Sequence, residues 1–334
     1  MGDIKEKLLN LILDTGALST EQISTFQSNQ GKFENAFVIN MKNRKERLEE
    51  ATKALGKVNI TFERFIAIDG KNLCDKDKHF WSKIFPKLRP GELGCLLSHL
   101  AILALAATHP NDCNYTMIFE DDIITSLTAS IDPTLRKLIQ LDQHGGIDLI
   151  YLGKCMETCS KMHHIEDNIY FAHSPSCAHA YAIKNSFACR LLDILDKSCL
   201  GHGKTGHSHP DAAHTGAFNC GIDGIYKWFV ENKKNSEIKT VVIHPAIFYQ
   251  DVLRSKSDLR DESLSNYLEC IDSCPLKKHQ KKNDEREPEH VKHNDHAGGI
   301  IILAILLFFI VIFVAAILMA HKRNQKMERR ATYM

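Results

Sequence analysis

Asn114-Tyr-Thr-Met-Ile-Phe119, followed at once by Glu120-Asp121-Asp122 and Ile123, is the stretch on which the fold turns. Its first six residues have the β-branched and aromatic composition of a buried strand. Three consecutive carboxylates then stand where that strand ends, and open α/β sheets take their ligands at the carboxyl ends of their strands. Adjacent carboxylates repel one another unless a cation or hydrogen-bond donors offset the charge, so an empty cluster of this kind carries raised pKa values or visible disorder. Oxygen ligands at this density suit Mg²⁺ or Mn²⁺ better than zinc. The plainer reading is a solvated loop start whose acids cap the next helix. On the acids alone the two readings stand level.

Outward from this stretch, strands and helices alternate. Ala36-Phe-Val-Ile39 reads as the first strand, and Asn43 to Leu55 carries Leu48, Ala51 and Leu55 at helical spacing. Phe62 to Ile68 reads as a second strand ending in the turn Asp69-Gly70. A helix from Gly94 to Thr108 follows Pro90-Gly91-Glu92 and leads through Pro110 into the central strand. Downstream, Asp148 to Leu152 and Cys177 to Ile183 read as strands and Ser186 to Leu195 as a helix. Such alternation predicts an α/β domain over residues 35–262, its mostly parallel sheet covered on both faces. The amphipathic run Ile4 to Leu13 and the Ser/Thr/Gln-rich connector behind it make residues 1–34 an accessory element.

The chain has 334 residues, room for one large domain with appendages. Its 42 basic and 41 acidic side chains nearly cancel, which argues against nucleic acid as a partner. Eleven cysteines are an odd number, so at least one thiol stays free or pairs between chains. Cys155/Cys159 and Cys270/Cys274 do not complete a zinc pattern, and buried small apolar thiols, with one or two disulfides if the domain is extracytoplasmic, are the better expectation.

Residues 297–320 contain no charged side chain, and as a helix they would run about 36 Å, enough to span a bilayer. The expectation is a transmembrane helix in contact with lipid, preceded by a charged stalk over 263–296 and followed by a basic tail over 321–334. Lys322, Arg323, Lys326, Arg329 and Arg330 favour a cytoplasmic tail with the large domain on the other side. Residues 1–34 lack the apolar core of a secretory peptide, and a tail-anchored route would place the domain in the cytoplasm instead. The sequence leaves both orientations open.

Four segments, in this order, resemble glycosyltransferase family 25, which includes lipooligosaccharide and procollagen galactosyltransferases. They are Val38-Ile-Asn-Met41 with Arg44, Arg47 and Ala67-Ile-Asp-Gly70; Leu88-Arg-Pro-Gly-Glu-Leu-Gly-Cys-Leu-Leu-Ser-His99; Phe119-Glu-Asp-Asp122; and a dispersed set comprising Asp148 to Gly153, His179 to Ile183, Ile222-Asp223, Gln250 and Ser257-Asp258. The resemblance covers roughly residues 36–260 and implies a GT-A-type nucleotide-sugar transferase domain with a Rossmann-like half. It implies a UDP-sugar donor, most plausibly UDP-galactose, a glycan or hydroxylated protein acceptor, inverting transfer, and Mn²⁺ rather than Mg²⁺.

In that frame Glu120 and Asp122 are the expected metal pair, Asp122 as direct ligand and Glu120 on ribose or metal-bound water, with Asp121 beside them in the nucleotide-sugar site. Arg47 follows the first strand within reach of a pyrophosphate, or solvates a helix face. Asp69 accepts hydrogen bonds from uracil or ribose, or is an ordinary Asp-Gly turn. Glu92 and His99 line the donor side, although His99 also suits helix packing. Ser98 and His99 point about 100° apart on a helix and cannot form a hydrolase couple. Asp223 is the candidate general base, or a helix N-cap, with Asp211 in reserve. The histidine-rich segment Gly201 to Pro210 with His214 reads as an acceptor-side loop more readily than as a zinc site. Sequons at Asn59 and Asn114 are expected to go unused, the latter because it opens a buried strand. Two other functions are compatible with these residues: a silent relative that keeps the nucleotide-sugar fold, and a metal-dependent phosphohydrolase.

Overall fold

A computed structural model describes residues 3–200, 221–231 and 238–251. The expected stalk, membrane helix and basic tail, together with Asp211 and the histidine-rich segment, lie outside these residues. Among the described residues no helix is long and apolar enough to cross a membrane.

The chain begins with helices α1 (Asp3–Thr15) and α2 (Thr20–Ser28) and strand β1 (Asn35–Asn40). Helix α3 (Lys45–Gly56), β2 (Glu63–Ile66), α4 (Asp75–Ile84) and α5 (Pro90–Ala106) come next, leading to β3 (Tyr115–Glu120) and the short β4 (Ile123–Ile124). Then follow α6 (Asp132–Gly145), β5 (Leu149–Tyr151), the hairpin β6 (His163–Glu166) and β7 (Ile169–Phe171), β8 (Ala180–Lys184), α7 (Asn185–Leu200), α8 (Gly221–Glu231), β9 (Thr240–Ile243) and β10 (Tyr249–Gln250).

Eight strands form one sheet in the order β2-β1-β3-β8-β5-β9-β7-β6. Six run in one direction, while β8 and β7 run against them. The sheet is therefore mixed, and the reversed β8 lies directly beside β3, with Phe119 opposite Ala180. The start of β8 thus adjoins the end of β3, and Glu120 N–H donates to His179 O at 2.9 Å.

Period-two alternation sends the strand side chains to two cores. Phe37, Ile39, Ile118 and Tyr181 pack with α1, α5, α7 and α8, whereas Ala36, Val38, Met117, Phe119 and Ala180 pack with α3 and α6. Helix α5 is the axis of the first core. It is buried from Leu96 through Ala106, so its sequence is apolar all round rather than striped.

Two expectations about residues 1–34 change. The connector contains α2, whose first turn is closed by a capping box in which Ser19 Oγ accepts from Gln22 N–H and Gln22 Oε1 accepts from Ser19 N–H. Nor is α1 an accessory, because Ile4, Leu8, Leu11 and Ile12 are buried in the same core as α5. A 13-residue helix with one apolar stripe gains its stability from that burial.

Candidate active site

The end of β3 divides its three acids between two sides. Glu120 ends β3, and Asp121 and Asp122 form the turn after it, where Asp121 takes its partners from the β1 and α3 side. Asp121 Oδ2 accepts from Asn40 Nδ2 at 2.7 Å, and its Oδ1 meets Arg47 Nη1 at 3.4 Å. Asn40, at the end of β1, is held in turn: its Nδ2 also donates to Arg44 O at 2.8 Å and its Oδ1 accepts from Arg64 Nη2 at 2.6 Å. Asp121, expected on the nucleotide, is therefore turned inward and ties β3 to β1 and α3. Arg47, expected on the pyrophosphate, is its ionic partner.

Glu120 faces the first turns of α5. Its Oε1 lies 3.3 Å from His99 Nε2 and 4.0 Å from Cys95 Sγ, and its Oε2 accepts from Gln250 Nε2 at 3.4 Å. His99 is wholly buried and meets Tyr181 OH through Nδ1 at 2.9 Å. Burial lowers its pKa to about 4, so the imidazole is neutral at pH 7. His99 accordingly reaches the cleft through Glu120 and has no surface of its own to offer a donor.

Asp122 is offset in part by the charge of Arg47 and by a backbone hydrogen bond of its own. Its Oδ1 is inaccessible and has no hydrogen-bond partner among the described residues. Burial, followed by the charges of Glu120 and Asp121, pushes its pKa up to about 8. Burial and Asp121 likewise push Glu120 up to about 7. A pair of carboxylates crowded and desolvated in this way, one oxygen still unsatisfied, fits a hard divalent cation held by Glu120 and Asp122. The bland alternative of a solvated loop start does not describe them.

Asp223 lies in the first turn of α8, and its charge acts on Cys95, His99, Tyr151 and Tyr226, which places it beside the same cluster. The fold thus brings together Arg47, His99, Glu120, Asp121, Asp122 and Asp223 from three helices and the end of β3. Asp69 and Glu92 are held by contacts of their own, although the charge of Glu92 also reaches Cys95. Asp69 shapes its own turn, accepting from Lys71 N–H at 3.0 Å and Asn72 Nδ2 at 2.7 Å, and lines a cavity of 900 Å³ together with Thr15, Met41 and Asn43. Glu92 closes the start of α5, accepting from Arg89 N–H and from its guanidinium, both at 2.9 Å. Sequence reading overlooked the roles of Asn40, Cys95 and Tyr181. The i, i+4 spacing of Cys95 and His99 was the one available signal, since it puts both on one side of α5.

The profile of glycosyltransferase family 25 (LPS biosynthesis protein) matches residues 33–200, from just before β1 to the end of α7. A putative glycosyltransferase of Haemophilus influenzae is 38% identical over 91 residues, 26% of this chain and 32% of that protein. A glycosyltransferase 25 family member of Anopheles gambiae is 30% identical over 166 residues, 43% of this chain and 26% of its own length. Procollagen galactosyltransferase 2 of Mus musculus is 28% identical over 134 residues, 36% of this chain and 21% of its own length. The chain thus spans about a third or less of the curated relatives it matches. The profile covers half of the 334 residues and contains β1, α5 and β3 with the acids they bring together, and the chain belongs to glycosyltransferase family 25.

Proposed function

We propose that this protein is a metal-dependent glycosyltransferase that moves a hexose, galactose from UDP-galactose, onto a hydroxyl of a glycan or a hydroxylated protein. The observation that carries this reading is the buried, unsatisfied Oδ1 of Asp122 beside Glu120 at the carboxyl end of β3. The galactosyltransferase name of the mouse relative supports the choice of sugar.

Mn²⁺ or Mg²⁺ held by Glu120 and Asp122 would supply Lewis-acid neutralisation of the departing diphosphate. The residues around the pair fix its position. Arg47 and Asn40 hold Asp121, which keeps the backbone of the acidic turn in place, and Asp251 N–H donates to Asp122 O at 2.8 Å from the other side. His99 donates from Nε2 to Glu120 when Tyr181 donates to its Nδ1, so a neutral, buried imidazole sets the direction of that carboxylate. Asp223 is the proposed base. It takes the proton of the acceptor hydroxyl as that oxygen bonds the anomeric carbon and the bond to the nucleoside diphosphate breaks. Asp69 and its cavity are assigned to the nucleoside.

Membrane attachment through residues 297–320 is part of the same proposal, with the catalytic domain in an oxidising compartment.

Release of UDP from UDP-galactose, measured with and without Mn²⁺ and with and without a glycan or hydroxylated peptide, tests the reading. Acceptor-dependent turnover should fall at least about 100-fold in Asp122→Ala, the scale for losing a charge-stabilising group. Turnover unchanged in Asp122→Ala removes the metal assignment, phosphate release that ignores the acceptor favours the hydrolase, and inactivity of the wild type with every acceptor favours a silent relative.

A further inference from the structure

We propose that Cys95, His99 and Glu120 form a site for a thiophilic divalent cation, with Zn²⁺ the best match, that shares Glu120 with the Glu120 and Asp122 pair but does not use Asp122. The cysteine sulfur, a histidine ring nitrogen and a Glu120 carboxylate oxygen all lie within 4.8 Å of one another. Zinc bonds of about 2.3 Å to sulfur and about 2.0 Å to nitrogen and oxygen set tetrahedral edges of roughly 3.3 Å for N···O and roughly 3.6 Å for S···O. The His99 Nε2 to Glu120 Oε1 separation is 3.3 Å and the Cys95 Sγ to Oε1 separation is 4.0 Å. The N···O edge already has the length the ion requires, the S···O edge exceeds it by roughly 0.4 Å, and the S···N edge lies within 4.8 Å.

As hydrogen bonds the same contacts are poor. An N–H to carboxylate bond prefers about 2.7–2.9 Å, and a thiol at 4.0 Å stands at the limit of donation. Three groups this close, joined only by long hydrogen bonds, can turn from that arrangement to ligating one ion.

The groups around them match the outer shell such sites carry. Tyr181 OH lies 2.9 Å from His99 Nδ1 and its ring stacks at 5.8 Å, which fixes the imidazole plane; ligation calls for the other tautomer from the ion-free hydrogen bond to Glu120, with the proton on Nδ1 donated to Tyr181 and the Nε2 lone pair free. Gln250 holds Glu120 Oε2 and leaves Oε1 toward the cysteine and histidine. Cys95 and His99 stand one turn apart on α5, the most deeply buried helix of the fold, so their spacing is rigid. Cys95 and Glu120 are half-buried, which leaves the ion a route in and a fourth position for water or a further ligand. The S, N, O donor set selects a borderline-soft ion, whereas the Glu120 and Asp122 oxygens select a hard one. Glu120 is common to both sets, so the two ions compete for a single carboxylate.

The inference stands on this geometry whether or not sugar is transferred, and its test needs no donor. Full-length protein stripped of metal and titrated with Co²⁺ alone should develop a thiolate-to-cobalt charge-transfer band and the strong visible bands of a four-coordinate ion, both abolished by stoichiometric Zn²⁺. Cys95→Ser, or Cys95→Ala should the serine variant misfold by circular dichroism, should lose the charge-transfer band. Glu120→Gln should weaken Co²⁺ binding about 10- to 100-fold. Asp122→Asn should keep the band. Wild-type protein without a charge-transfer band, or a band that persists without Cys95, overturns the site; loss of the band in Asp122→Asn overturns its independence of Asp122.

Discussion

Glu120 and Asp122 have pKa values near 7 and 8 where 4.5 and 3.8 are ordinary, with burial the first cause and neighbouring carboxylates the second. Both shifts are upward, so between about pH 4 and pH 8 the folded protein holds protons that the unfolded chain has released, and its stability falls as the pH rises through that window. Metal-free protein is therefore expected to melt at a higher temperature at pH 5 than at pH 8. Asp122→Asn should flatten this slope, and Mn²⁺ should raise the melting temperature at pH 8 much more than at pH 5, where the acids hold their protons. An equal slope in Asp122→Asn, followed by calorimetry across the same pH range, would refute the crowded-pair account. These two residues were legible in the sequence because three acids in a row after a strand announce themselves. The inward turn of Asp121 was not, because its partner Asn40 is 81 positions away and only the parallel register of β1 and β3 makes them neighbours.

At the scale of elements, the site depends on how closely the turn after β2 meets the start of α5. Ile68 N–H donates to Ser98 Oγ at 2.9 Å, and the Asp69-Gly70 turn lies against the helix backbone. A side chain at Gly94 would collide with the carbonyl of Ile68 and the backbone of Gly70, and one at Gly70 would collide with Pro90 O. Glycine is required here for proximity, and neither position has the left-handed φ that glycine often supplies. Gly94→Ala should cost roughly 1–3 kcal/mol, the scale of overpacking against an unyielding neighbour, and should move the Cys95 and His99 turn relative to Glu120. Urea unfolding measures the first effect. A midpoint equal to wild type would show that the helix shifts freely and does not rigidly position the site. Leu8→Ala, in the buried face of α1, should cost about 2–5 kcal/mol in the same measurement, whereas a true accessory helix would lose almost nothing. Hydrophobic period revealed α1, α3 and α5 and most of the strands. It did not reveal that β8 runs backwards, because a strand buried on both faces reads the same in either direction. The helix within the connector was also missed, since its polar composition hides α2 and only the Ser19 and Gln22 capping pair marks its start.

For the whole molecule, the proposed membrane attachment leaves open the side on which the domain works, and the thiols bear on it. Cys155 is bonded to Cys177 across 22 positions, and Cys159 is disulfide-bonded as well. The first bond closes a loop holding the β6–β7 hairpin and anchors the segment that leads into His179 and β8, the strand that carries Tyr181 to the site. By chain entropy such a loop contributes about 3 kcal/mol, and it persists only where thiols are kept oxidised. Under the proposed membrane attachment, the positive-inside reading of Lys322 to Arg330 and the disulfides agree on a cytoplasmic tail and a domain on the far side, against the tail-anchored route. Intact vesicles from expressing cells should therefore protect the domain from added protease while a tag behind Met334 is digested, and Cys155 should resist alkylation until a reductant is added. Reduction should also lower the melting temperature of the purified protein. A domain digested in sealed vesicles, with Cys155 alkylated at once, would place it in the cytoplasm and leave the β8 end of the site without its covalent tie.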